Sequence, residues 1–177
     1  MHLRPDQTGA PPTIVAHQVN AAPEADLRAF LTACCDVPSW VGAVVAGRPY
    51  ADDAVLLETA DGAARRFDAD EVDRALAAHP RIGEKVAGDS QEARWSRGEQ
   101  SSASAGGPTA TALTEVNRAY EQRFGRVFLI CASGLSAEQI LAAGYDRLDN
   151  TEDAELAVVA DELRKIALLR LQKGPIA

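Results

Sequence analysis

The feature that most constrains the fold is an apolar stripe near the C-terminus. Leu156, Val159, Leu163 and Ile166 recur at steps of three and four residues. Residues spaced this way share one face of an α-helix. Thr151 can cap the start of this helix, and Gly174-Pro175 end it. A helix this long must bury its stripe against other elements. Aromatic residues make up only 5% of the chain, so the core must rest on Ala, Leu, Val and Ile. The abundance of alanine favours helices over sheet. The expectation is an all-α, single-domain helical bundle over residues 19–177, preceded by a proline-containing segment, 1–18, expected to be disordered.

Local signals place further helices. One is expected from Pro23 to Ala33. Asp36 and Pro38 open a second, carrying Trp40, Val41, Val44 and Val45, with Gly47 at its end. Asp52 caps a third through Leu57, and Asp70 a fourth that must stop at His79, because a residue before proline avoids the α region. Residues 81–108 are the least regular, with Ser101 to Pro108 reading as a loop. A helix runs from Thr109 to Phe124, ended by Gly125. Val127 to Ala132 is an apolar run that periodicity leaves open between strand and buried extended chain. Ser136 and Gln139 form a capping box for the next helix.

Charge and cysteine content exclude several classes. A net charge of −8 argues against a nucleic-acid binder, which needs cations to displace phosphate counterions. No apolar run approaches a membrane span. The N-terminal MHLRPDQTGAPP lacks a signal-peptide pattern. Three cysteines, two of them adjacent, are a poor disulfide framework and point to a reducing cytoplasm. His2, His17 and His79 show no ligand spacing, and there is no CxxC, Walker loop or GxGxxG. Neither metal nor organic cofactor is expected.

Two residues stand out for chemistry. His79, fixed before Pro80, titrates near neutrality and can move protons at physiological pH. The plain alternative is an imidazolium favoured by a helix C-terminus. Arg170 takes the next slot on the apolar stripe, where a cation wants an anion, from the protein or from a substrate. Snorkelling outward at the helix end is the competing reading. Glu99 reads on its own as a solvated carboxylate. Asn117, Tyr120 and Phe124 share a face of core type. Cys131 reads as a small buried hydrophobe without a local base.

Several segments occur together in one order: CCDVPSWV (34–41), RPY (48–50), HPRIGEK (79–85), SRGEQ (96–100), NRAYEQRFGRVFLICASG (117–134) and ELRKIALLRL (162–171). This set resembles the 2-oxo-4-hydroxy-4-carboxy-5-ureidoimidazoline (OHCU) decarboxylase family over roughly residues 19–173. Arg81, Ile82 and Gly83 depart from the HPDLAGK form frequent in that family.

The resemblance implies an all-α, cofactor-independent, cytoplasmic carboxy-lyase, commonly a homodimer. It would convert OHCU to (S)-allantoin in urate (purine) degradation. It implies His79 as the catalytic acid/base and Glu99 as its partner, fixing the tautomer. It further implies substrate contacts from Pro80, from Ser96, Arg97, Gly98 and Gln100, from main-chain groups of Phe128, Leu129, Ile130, Cys131 and Ala132, and from Arg170, which would meet a substrate anion. A non-catalytic helical interaction module is the alternative. It predicts no pocket joining His79, Glu99 and Arg170. The neighbouring pathway step, hydroxyisourate hydrolysis, belongs to a β-rich family and is discounted.

Overall fold

The structure, a computed structural model, describes residues 14–83, 90–101 and 107–174. It is built from α1 (Ile14–Ala21), α2 (Glu24–Cys34), α3 (Pro38–Ala46), α4 (Asp53–Ala64), α5 (Ala69–Leu76), α6 (Gln91–Glu99), α7 (Gly107–Phe124), α8 (Ala137–Arg147) and α9 (Glu152–Leu171). No strand occurs among the described residues. The all-α expectation holds. Residues 14–18, expected in the N-terminal tail, are helical instead; residues 1–13 lie outside the described residues.

Most helix starts follow their local caps. The Asp52, Ser136 and Thr151 side chains accept the Val55, Gln139 and Ala154 amides. Two expected caps are displaced. Asp68, not Asp70, caps α5, because Asp68 is the extended residue and forms a reciprocal box with Glu71. Asp70 sits inside the first turn, where a carboxylate favours the helix dipole. Asp36 does not cap α3; Val37 occupies that position and Asp36 pairs with Arg74. The irregular region contains a full helix, α6, started by Ser90. Most of the expected Ser101–Pro108 loop lies outside the described residues. Gly125, at φ +65°, ends α7 in the left-handed region.

The core has two parts. The larger gathers α1 to α5 and α9 around Leu27, Leu31, Trp40, Leu56 and Leu163. Trp40 donates its indole N–H to the Ala60 carbonyl at 3.0 Å, so its burial leaves no polar orphan. The smaller lies between α7 and α8 around Leu113, Tyr120, Phe124 and Ile140. The 127–132 segment runs between them, and its side chains alternate. Val127, Leu129 and Cys131 pack on the larger core, while Phe128, Ile130 and Ala132 pack on the smaller. A period of two is the mark of extended chain. This resolves the ambiguous apolar run as a buried ribbon with no strand partner among the described residues. The ribbon brings main chain to the junction of the two cores, beside α9 and the end of α5.

Candidate active site

A cleft of about 330 Å³ opens at that junction. Its wall comprises His79 and Pro80 after α5, Ile82, then Ser96, Glu99 and Gln100 from the end of α6. Leu129, Ile130, Cys131 and Ala132 of the ribbon, with Ile166 and Arg170 of α9, complete it. Segments as far apart in sequence as His79 and Arg170 thus meet. A second hollow of about 380 Å³ shares His79 and Arg170 and is otherwise lined by residues 32–36 and Ala78.

Three of the expected contacts lie elsewhere. Arg97 and Gly98 are exposed, and neither they nor Phe128 line the cleft. The helical period explains the first two. Positions 96, 99 and 100 share a face of α6, whereas 97 and 98 are rotated off it by about 100° and 200°. Phe128 is buried further along the ribbon in the smaller core and packs edge-on with Tyr120, ring centroids 5.2 Å apart. Ile82 and Ile166 line the cleft without having been anticipated. Ile166 was legible as the residue one turn before Arg170 on the same stripe.

The helices decide what each side chain can do. Arg170 is buried, 3% exposed, and grips Glu99 by two parallel bonds: Nε to Oε1 and Nη2 to Oε2, each 2.9 Å. Its Nη2 also donates to Ser96 Oγ at 3.2 Å, and its guanidinium lies 5.8 Å from the Trp95 ring centre. Lys173 adds a second cation to Glu99 at 3.3 Å. Burial opposes the charge on Glu99, but the bonds to Arg170 outweigh it and hold the carboxyl below its ordinary range.

Glu99 is therefore not the group that orients His79. His79 Nδ1 lies 2.8 Å from the Ala75 carbonyl, one turn back on α5. A carbonyl only accepts, so Nδ1 carries the proton and Nε2 the lone pair. The tautomer is set by the helix end itself. Nε2 is buried and has no hydrogen-bond partner among the described residues. Burial above all, then the Arg170 cation, pushes the imidazole down to about 4, so the ring is neutral at pH 7. A buried neutral imidazole with a free lone pair in a cleft is an acceptor for a substrate proton.

Gln100 accepts the Gly83 amide through Oε1 at 3.1 Å, which leaves its NH₂ as the group to offer a ligand. Asn117, on α7, donates to the Ile82 carbonyl at 2.9 Å. These two bonds tie down the chain following His79-Pro80. Burial raises the Cys131 thiol, so it is a poor nucleophile. Among the described residues no group of three or more His, Cys, Asp or Glu is arranged to hold a metal ion, and no helix is long and apolar enough to cross a membrane.

Comparison with known proteins places the chain in a family. The uric acid degradation bifunctional protein TTL of Arabidopsis thaliana is 40% identical over 104 residues, covering 56% of this chain and 32% of that protein. The 2-oxo-4-hydroxy-4-carboxy-5-ureidoimidazoline decarboxylase of Amia calva is 39% identical over 82 residues, 44% of this chain and 46% of that protein. The matched stretches thus span less than half the length of these two relatives. A crystal structure of OHCU decarboxylase in the presence of (S)-allantoin superposes with a TM-score of 0.69 at 26% identity, covering 86% of this chain and 97% of that one. A crystal structure of (S)-allantoin synthase, 18% identical with a TM-score of 0.67, shares the fold. The sequence profile described as OHCU decarboxylase matches residues 20–172, nearly the whole described chain, and the protein belongs to that family.

Proposed function

We propose that this chain decarboxylates OHCU to (S)-allantoin in the cleft at His79. The observation that carries the reading is the buried, unpartnered Nε2 of His79 in a cleft shared with Gln100, the ribbon and Arg170. An interaction module has no need of such a pocket.

The chemistry follows from the substrate. The ring carbon bearing the carboxylate also bears a hydroxyl. When the bond to the carboxylate breaks, its electron pair forms a double bond to the neighbouring ring carbon, and the pair of that carbon's former double bond to nitrogen takes a proton from solvent to become an N–H, so the carboxylate anion loses CO₂ and gains one proton overall. The resulting enol collapses to a carbonyl as the neighbouring carbon takes a proton on one face. CO₂ leaves, and the proton lost from the hydroxyl equals the one gained at carbon. In this scheme His79 Nε2 takes the hydroxyl proton and returns one. The Gln100 NH₂ and ribbon amides stabilise oxygens on which charge builds, as oxyanion donors do. Arg170, already neutralised by Glu99, presents a fixed guanidinium edge and not a free charge, so it orients a substrate anion more than it attracts one. No metal or organic cofactor enters this scheme. A cytoplasmic setting, favoured by three free thiols, and a homodimer are parts of the same proposal. Light scattering tests the latter.

The deciding experiment is circular dichroism of product formed from freshly generated OHCU. The expected result is rapid formation of dextrorotatory allantoin. Decay at the spontaneous rate to racemic product, by a folded protein, would overturn the reading.

A further inference from the structure

The ribbon that lines the cleft is held from behind by two acidic or basic side chains that do not touch the cleft. Glu162, on α9, accepts the Cys131 amide through Oε2 at 2.7 Å. Arg147, at the end of α8, donates through Nη1 to the Leu129 carbonyl, also at 2.7 Å. Arg147 is itself pinned. Its Nε and Nη2 meet Glu155 Oε1 at 2.8 and 2.5 Å, and its guanidinium lies 4.8 Å from the Phe128 ring centre. Glu155 is fully buried and takes further bonds from the Tyr120 hydroxyl and from Asn150 Nδ2.

The geometry of extended chain turns these contacts into a functional statement. Residues of one parity direct both N–H and C=O to the same edge, and residues of the other parity to the opposite edge. Leu129 and Cys131 share parity, and both of their observed bonds run to α8 and α9. The peptide groups of Ile130, a cleft-lining residue, therefore face the other edge. A slip of one residue would reverse this and swap the side chains between the two cores.

We infer that Glu162 and Arg147 are positioning residues for the reaction: they fix the edge and register of the ribbon so that the Ile130 peptide is presented to substrate. The inference rests on the decarboxylase reading for its catalytic consequence. Glu162 is the cleaner probe, since it belongs to neither hydrophobic core and its other bond among the described residues is to Lys165.

The test compares Glu162→Ala, Glu162→Gln and Lys165→Met with wild type. Misplacing one main-chain donor costs roughly ten- to hundredfold in rate. Glu162→Ala is expected to lose that much in kcat with little change in KM, and to yield product of lower enantiomeric excess. It should also show faster hydrogen exchange at the Cys131 amide by NMR. Glu162→Gln keeps an acceptor and restores most of both. Lys165→Met, which removes the outer ion pairs to Asp161 and Glu162 but no bond to the ribbon, changes neither. If Glu162→Ala melts far below wild type, Glu162→Leu replaces it, filling the volume without an acceptor. A folded acceptor-less variant with wild-type kcat and enantiomeric excess overturns the inference, as does a Cys131 amide that stays protected. A wild-type protein with no decarboxylase activity would instead overturn the proposed function, and Cys131 exchange then still decides whether Glu162 holds the ribbon.

Discussion

Arg170 and Glu99 face each other as a planar fork, two bonds of 2.9 Å between side chains 3% and 11% exposed. Removing one member of a buried pair leaves the other uncompensated, which costs about 3–5 kcal/mol in fully buried cases. With Lys173 near the surface to share the charge, Glu99→Gln is expected to cost about 2–3 kcal/mol. Urea unfolding checks this. A variant as stable as wild type would show that the pair contributes nothing to the fold. Because Glu99 does not orient His79, the loss of activity should track the displacement of Arg170 rather than a change of histidine tautomer.

His79→Ala is expected to keep the fold, since the residue follows a helix and its side chain lines the cleft without belonging to either hydrophobic core. Loss of a general acid–base group typically costs about 10²–10⁴-fold in rate. Spontaneous decay would then compete, and the product would drift toward racemic. Product circular dichroism beside a thermal melt measures both. Wild-type rate and handedness from the variant would remove His79 from the mechanism.

The burial of His79 makes a pH prediction. Its folded-state value is pushed down to about 4, below the ordinary value of about 6.5. Between those limits the unfolded chain binds a proton that the native chain does not. Stability therefore rises with pH across that window and is lost on acidification from about 6.5 toward 4. The depressed Glu99 carboxyl acts in the same direction, its contribution lost as pH falls further. In His79→Ala the slope of unfolding free energy between pH 6.5 and 4 should shrink by up to about one proton, read from denaturation midpoints at each pH. The acid limb of kcat/KM, which reports the free enzyme, should fall near 4 and not near 6.5.

Glu155 and Arg147 form the most deeply buried ion pair among the described residues, at 0% and 9% exposure. Glu155→Ala strands Arg147 and the Tyr120 hydroxyl inside the smaller core. The expected loss is about 3–5 kcal/mol, measured by urea denaturation. A cost below about 1 kcal/mol, the scale of an exposed pair, would contradict the burial.

Gly144 and Gly62 form a matched contrast. A Cβ on Gly144 would meet Val116 Cγ1 at 2.6 Å and Phe128 Cζ at 3.5 Å, where α8 approaches α7. Val116 is buried and β-branched, so it has little freedom to yield. Overpacking of this kind costs about 1–3 kcal/mol, more than the roughly 1 kcal/mol gained in helix propensity. Gly144→Ala should lower the melting temperature. Gly62→Ala, with nothing within 4 Å and an exposed site in α4, should raise it.

What the sequence determined by itself was local or periodic. The Asp52, Thr151 and Ser136–Gln139 caps, the Gly125 stop and the helical stripe that Arg170 continues all depend on residues within about one turn of each other, where backbone geometry alone sets who meets whom. The resemblance named the residues of the site and paired Glu99 with His79. The tertiary structure pairs them otherwise. Glu99 meets Arg170 and not His79 because α6 and α9 bring the two side chains together, while the His79 tautomer is set by Ala75 one turn behind it. It also decided that Arg97 and Gly98 fall off the cleft face of a helix hidden in a polar stretch of weak periodicity. The ribbon's two edges became distinct only when α8 and α9 supplied Arg147 and Glu162. Apart from the local His79–Ala75 bond, these contacts join residues 18 to 71 positions apart. The longer ones follow from how helices cross and which faces they bury, information that no short window of the chain contains.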